Sequence, residues 1–272
     1  LPLLAGIENA MGDARISVFL CNVGGDPCRE RRHLESLLAK RVDGLIVAGT
    51  RTNPRPPVDV GKSGIPVLYA FTPTTDPRAL SLIPDNVQGG RIATAHLLDS
   101  GRRRVAHISG PEDYGGVIGR RAGMEDALAS HGVSTPIPVL NGPWTEAWGY
   151  EAAARVLRLD PTVDAIFCGS DVVARGVVDS LRERGVRVPD DVAVIGFDNW
   201  PVIAATTRPP LSTVDMDLES LGRLAGRHLL DLVDGQSHGG LLQQPCRLVC
   251  RVSCGVTTCT RTIETEDELV RW

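Results

Sequence analysis

A handful of side chains carry the chemistry this sequence can offer. Phe71, Tyr114, Trp144 and Trp200 fall in segments that the apolar pattern places at strand ends, and only 4% of the residues are aromatic. An indole such as Trp144, between Gly142-Pro143 and a helix start at Thr145, can lie flat against the face of a sugar or a base. Asp198 closes the apolar stretch Gly196-Phe197, where a carboxylate can accept paired hydroxyl hydrogens. Arg120, which opens a helix after Gly115-Gly116, can donate a fork of hydrogen bonds to hydroxyls or a carboxylate. Each also has a plainer reading. Trp144 can plug the underside of its loop, Asp198 can cap a helix beginning at Trp200 or Pro201, and Arg120 beside Arg121 can sit on a solvated face.

Metal and redox chemistry fit less well. Cys246, Cys250, Cys254 and Cys259 are spaced suggestively, but if Arg247–Ser253 is a strand, a four-residue step covers about 13 Å at roughly 3.3 Å per residue, too far for two sulfurs on one zinc. Buried thiols behave as small hydrophobes instead. The histidines at 33, 96, 107, 131, 228 and 238 show no metal spacing, so neither a metal nor a cofactor is expected. Seven cysteines, an odd number, in a chain this long point to reduced thiols in a cytoplasm rather than to structural disulfides. Enzyme signatures are missing too. There is no Gly-x-Ser-x-Gly elbow, no phosphate-binding glycine-lysine loop and no Gly-x-Gly-x-x-Gly after a strand. Gly61-Lys62-Ser63 reads as a helix end, and the chain is expected not to be an enzyme.

The elements that must position these groups alternate. Short apolar runs at Ile16–Asn22, Gly44–Gly49, Pro66–Ala70, Arg104–Gly110, Asp164–Gly169, Val192–Phe197 and Arg247–Ser253 read as strands, with amphipathic stretches between them. Asp26-Pro27 supplies an N-cap acceptor and a proline at the first helical position. Further helices are expected at about Val87–Asp99, Arg121–Ser130, Ala147–Leu159, Val172–Arg184 and Leu218–Asp234, stopped by Gly101, Gly132, Gly185 and Gly235. This is an α/β class of parallel sheets flanked by helices. The plan occurs twice: Arg41-Val42-Asp43-Gly44-Leu45-Ile46-Val47 is echoed by Thr162-Val163-Asp164-Ala165-Ile166-Phe167-Cys168. Two lobes are therefore expected, with ligand taken between loops beyond the carboxyl ends of the strands.

The chain has 272 residues and a net charge of −4 at pH 7, with 42% hydrophobic and 23% charged residues. That composition excludes disorder and low complexity, and its charge gives no global attraction for nucleic acid. No apolar run approaches the roughly 18 residues of a membrane span. The chain reads as soluble and unsecreted, with no membrane partner.

Several ordered motifs resemble the lactose-repressor (LacI/GalR) family of bacterial transcription regulators. They are Arg41-Val42-Asp43-Gly44-Leu45-Ile46, Asp85-Asn86 with Gly89-Gly90, Gly119-Arg120-Arg121-Ala122-Gly123, the long run Gly185-Val186-Arg187-Val188-Pro189-Asp190-Asp191-Val192-Ala193-Val194-Ile195-Gly196-Phe197-Asp198-Asn199, and Pro209-Pro210-Leu211-Ser212-Thr213-Val214. The resemblance implies a two-lobed, periplasmic-binding-protein-like (type I) fold, with residues 1–86 plus 217–243 in one lobe and 87–216 plus 244–272 in the other. Hinges are expected near Asp85–Val87, Asp215–Asp217 and Gln243–Arg247. The resemblance also implies a small-molecule effector, expected to be a carbohydrate, contacted by Arg120, Trp144, Ser170, Asp171 and Asp198, with Tyr114 and Phe71 nearby. Phe71 stands where many sugar-binding members have an aspartate, and Ser170 where asparagine is common, so a less hydroxylated or differently oriented ligand is expected. The helix-turn-helix headpiece that would touch operator DNA, together with the first strand, is expected to precede Leu1, and a homodimer is expected. The rival reading is a periplasmic sugar-binding protein of a transport system, which a secretion signal would distinguish.

Overall fold

The computed structural model describes residues 2–13, 16–133 and 139–256. The chain divides into two compact units, one of Leu1–Asp85 with Asp217–Pro245 and one of Asn86–Met216 with Cys246–Trp272. Cys259 and the acidic tail from Thr257 onward lie outside the described residues.

The first unit holds helices α1 (Pro2–Asp13) and α2 (Pro27–Ala39), strands β1 (Leu45–Ala48), β2 (Val67–Ala70) and β3 (Leu80–Pro84), and, from the later chain segment, α8 (Leu218–Val233) and β9 (Gly240–Gln244). Its sheet runs β1-β2-β3-β9, and every pairing is parallel. Asp26 caps α2 as its sequence suggests, accepting hydrogen bonds from the Cys28 and Arg29 backbone nitrogens at 2.8 and 3.3 Å. Helix α1 lies close against α8 because glycines permit it. A Cβ on Gly6 would fall 2.0 Å from the Glu219 carbonyl oxygen, and one on Gly222 2.1 Å from that of Leu3. Ile7, Met11, Leu68, Leu82, Leu221 and Leu229 form the core beneath.

The second unit contains α3 (Asn86–Asp99), β4 (Val105–Ser109), α4 (Gly115–Ser130), β5 (Leu140–Asn141), α5 (Glu146–Leu159), β6 (Ala165–Cys168), α6 (Asp171–Glu183), β7 (Ala193–Phe197), the short α7 (Pro201–Ala204), β8 (Ser212–Asp215) and β10 (Arg247–Val249). Its sheet order is β10-β8-β7-β6-β4-β5, parallel except for β10. Strands β4, β6 and β7 are buried throughout, as a sheet covered by helices on both faces requires. Gly101, Gly132, Gly185 and Gly235 end their helices at positive φ, the conformation a glycine stop supplies. The chain is thus α/β, with a sheet and flanking helices in each unit.

Several expectations need correction. Ile16–Asn22 pairs with no strand, and Ile16, Phe19 and Leu20 are exposed. An apolar run becomes a strand only where a neighbouring edge takes its backbone groups, and among the described residues none does. Helix α4 begins at Gly115 rather than near Arg121, which puts Arg120 in its second turn. Gly61-Lys62 is a turn with no helix leading into it. Strand β10 stops at Val249, and the chain then bends through a turn at Val252–Gly255 instead of continuing to Ser253. Cys250 is disulfide-bonded, against the expectation of reduced thiols, while Cys21, Cys28, Cys168, Cys246 and Cys254 are free.

Candidate ligand-binding site

Because β4, β6 and β7 are parallel neighbours, their carboxyl ends share one edge of the second unit's sheet, and the loops leaving them carry the singled-out residues. Glycines let side chains pack close against that edge. A Cβ at Gly110, just after β4, would lie 2.1 Å from the Trp144 indole, one at Gly169 2.3 Å from the Ser109 hydroxyl, and one at Gly196 2.3 Å from the Asp171 carboxylate.

Arg120 is the centre of the cluster and is only 6% exposed. Its Nε donates to Asn86 Oδ1 at 3.0 Å, one Nη donates to the Gly169 carbonyl, and the other lies 4.0 Å from Asp198 Oδ1. The guanidinium carbon sits 3.7 Å from the centroid of the Phe197 ring and 6.0 Å from that of Trp144. Burial pulls the pKa of Arg120 down, and Asp198 chiefly opposes this. An arginine nonetheless stays charged in such surroundings. The solvated-face reading of Arg120 is therefore excluded.

Asp198 follows β7 with φ of 109° and Asn199 follows at 50°, sparsely populated backbone for residues with side chains. Burial raises the Asp198 pKa to about 6, with the Arg120 charge and a backbone hydrogen bond from Asp171 pulling the other way. Asp198 does not cap the short helix α7. That helix begins after Trp200, whose backbone nitrogen donates instead to Asp171 Oδ2 at 2.8 Å.

Asp171 is 1% exposed, and its other oxygen accepts the Thr213 hydroxyl at 2.5 Å. With both oxygens engaged, it braces the floor of the cluster. Burial, and then the nearby Asp198 carboxylate, push its pKa up to about 7. Ser170 caps α6 by accepting from the Val173 backbone nitrogen at 3.2 Å. Its hydroxyl hydrogen is still available for donation.

Trp144 is partly buried and meets Tyr114 edge to face, with ring centroids 6.1 Å apart and planes at 73°. Tyr114 stands at the N-terminus of α4 without capping it through its side chain. Trp200 is exposed. Phe71 belongs to the first unit, where it ends β2 at φ of 62° and packs on that unit's core. The structure thus brings Arg120, Trp144, Tyr114 and Asp198 together, with Ser170 and Asp171 beneath them.

Sequence reasoning passed over four partners. Asn86 and Phe197 hold the guanidinium, Thr213 holds Asp171, and Trp148 donates from Nε1 to the Ser109 carbonyl at 3.0 Å. A signal for Asn86 was present in the glycines. A Cβ on Gly90 would lie 2.1 Å from the Arg120 carbonyl oxygen and one on Gly123 1.8 Å from that of Val87. Helices α3 and α4 can therefore meet backbone to backbone.

Comparison with known proteins gives the chain a family. Residues 94–254 match the model of the periplasmic binding protein-like domain family. The regulator CelR of Thermobifida fusca is 32% identical over 91% of this chain and 73% of its own length. The chain belongs to the LacI/GalR family of transcriptional regulators. This LacI-family chain is also 34% identical to the ribose operon repressor of Escherichia coli K12, over 82% of the chain and 68% of the repressor. A solved complex of CelR with cellobiose superimposes with a TM-score of 0.78 at 28% identity, covering 93% of the chain and 78% of the CelR chain. These relatives are regulators of transcription rather than enzymes. Among the described residues of the family member, no helix is long and apolar enough to cross a membrane.

Proposed function

We propose that this chain is the effector-sensing part of a cytoplasmic repressor, taking a small polar ligand, a carbohydrate or its breakdown product, in the cleft between its two units. The reading rests above all on the Arg120–Asp198 pair beside the Trp144 ring, with polar donors and an acceptor at one edge of an aromatic face. That combination suits a sugar, whose hydroxyls need directional partners and whose C–H face needs a flat apolar surface. The association of relatives with cellobiose and with a ribose operon supports it.

In the proposed mechanism the ligand is held by Trp144, Arg120 and Asp198 of the second unit, with Phe71 of the first unit as a further expected contact. It favours one arrangement of the two units, and so biases paired DNA-binding headpieces in a homodimer. Such a ligand shifts operator affinity only by its differential affinity for the two states. A thermal-shift screen against sugars, purines and amino acids, followed by calorimetry, tests the reading. Saturable stabilisation by a mono- or disaccharide that is lost in Asp198→Ala supports it. Stabilisation by purines alone, or by nothing but amino acids, overturns the carbohydrate assignment. Steady turnover of a ligand overturns the non-enzymatic one.

A further inference from the structure

Two groups of metal-ligating side chains gather away from this site. In the first, His96 Nε2 lies 3.4 Å from Cys254 Sγ and 3.9 Å from Cys250 Sγ. The turn after β10 folds the two cysteines back toward each other, so the extended-strand distance does not apply. The disulfide at Cys250 occupies one of the sulfurs, however, and that group is not a ready ligand set.

The second group has no such conflict. We propose that His228, Asp231 and His238, in the first unit, form a binding site for a divalent d-block cation of the zinc class. His228 and Asp231 are one helical turn apart on α8, and the chain reverses at Gly235, φ 85°, to bring His238 back beside them before β9. His228 Nδ1 and His238 Nε2 each lie 3.6 Å from Asp231 Oδ2, and the three donor atoms fall within 4.8 Å of one another.

Those distances are too long for hydrogen bonds. They are close to the spacing of ligands that share one tetrahedral ion at about 2.0–2.2 Å each. Both ring nitrogens are buried and have no hydrogen-bond partner, so two acceptor or donor positions converge unsatisfied on one carboxylate oxygen. Buried polar atoms of that kind call for a partner, and a cation bound by all three residues supplies it. The imidazole rings meet at 66°, with centroids 5.0 Å apart, so their edges rather than their faces converge. Two nitrogens and one carboxylate oxygen suit zinc and its first-row neighbours better than magnesium or calcium. His238 also borders a surface depression of about 370 Å³. A bound ion ties the C-terminal turn of α8 to the segment entering β9, and so links a helix of the first unit to its edge strand.

The test is titration of the chelator-stripped protein with zinc by calorimetry, and with cobalt by absorption. One equivalent of zinc binds with micromolar or better affinity and raises the thermal midpoint. His228→Gln and His238→Gln each cost at least the ~10-fold in affinity that even an outer partner's loss brings, and Asp231→Asn weakens binding too. His33→Gln and Cys254→Ser leave binding unchanged. Circular dichroism confirms that each variant is folded. Cobalt bound without thiolate charge-transfer absorption supports the assignment. No saturable binding at micromolar zinc, binding that survives both histidine substitutions, or binding lost in Cys254→Ser overturns it.

Discussion

The Arg120 guanidinium lies 3.7 Å from the centroid of the Phe197 ring, while its nitrogens point at Asn86, Gly169 and Asp198. An aromatic face on one side and acceptors around the rim hold the fork in a single plane, which a flexible ammonium cannot copy. Arg120→Lys therefore weakens ligand binding at least tenfold, about 1.4 kcal/mol. It also lowers stability by about 1–3 kcal/mol through the unsatisfied Asn86 and Gly169 oxygens. Calorimetry and urea unfolding of the same variant measure the two effects.

Trp144 rests against the Gly110 backbone and meets Tyr114 edge to face. Trp144→Ala is expected to weaken ligand binding by about 1–3 kcal/mol, the loss of a large stacking surface. A plug role predicts the opposite pattern, with lowered thermal stability and unchanged affinity, and a thermal melt beside a binding isotherm separates the two.

Asp198 has its folded-state pKa raised from 3.8 to about 6, mainly by burial. A raised carboxylate pKa means that the native state binds the proton more tightly than the unfolded chain does. Its contribution to stability therefore falls as pH rises from about 4 to about 6, and the cost is complete above that. Asp198→Asn is expected to stabilise the ligand-free protein by about 1–3 kcal/mol at pH 8 relative to wild type, with little difference at pH 4, while weakening ligand binding. Urea unfolding at the two pH values checks the sign. A variant less stable than wild type at pH 8 shows the Arg120 pairing to outweigh desolvation.

Asp171 joins three elements, as its carboxylate accepts from the Trp200 backbone and the Thr213 hydroxyl while the residue opens α6. Asp171→Ala strands both donors and is expected to cost about 2–4 kcal/mol at pH 5, and less at pH 8, where ionising a buried carboxylate whose pKa is raised to about 7 already costs the wild type stability. Thr213→Val, which removes one of the two, costs less. Chemical denaturation of both variants tests the order.

Much of the fold was legible because its signals are local. Asp26, Thr145 and Ser170 cap helices through atoms two or three residues away, and the glycine stops act at their own φ. The same holds for the buried strands β4, β6 and β7, whose apolar runs are unmistakable. Strands β3, β5, β8 and β9 were missed: β3 and β8 begin or end amid polar residues and proline, β9 is largely exposed, and β5 has only two residues.

What the sequence by itself determined is therefore the alternation of strands and capped helices, and the residue types waiting at the strand ends. Tertiary structure decided which of them meet. Asn86 reaches Arg120 across 34 residues and Thr213 reaches Asp171 across 42, through helix crossings and strand pairings that no local pattern records. It also chose the cap, giving the Trp200 nitrogen to Asp171 and leaving Asp198 facing Arg120. It left Ile16–Asn22 unpaired, and it folded His238 back onto α8. The physical reason is the same in each case: a side chain's partner is fixed by packing of distant segments, and that is a property of the whole chain.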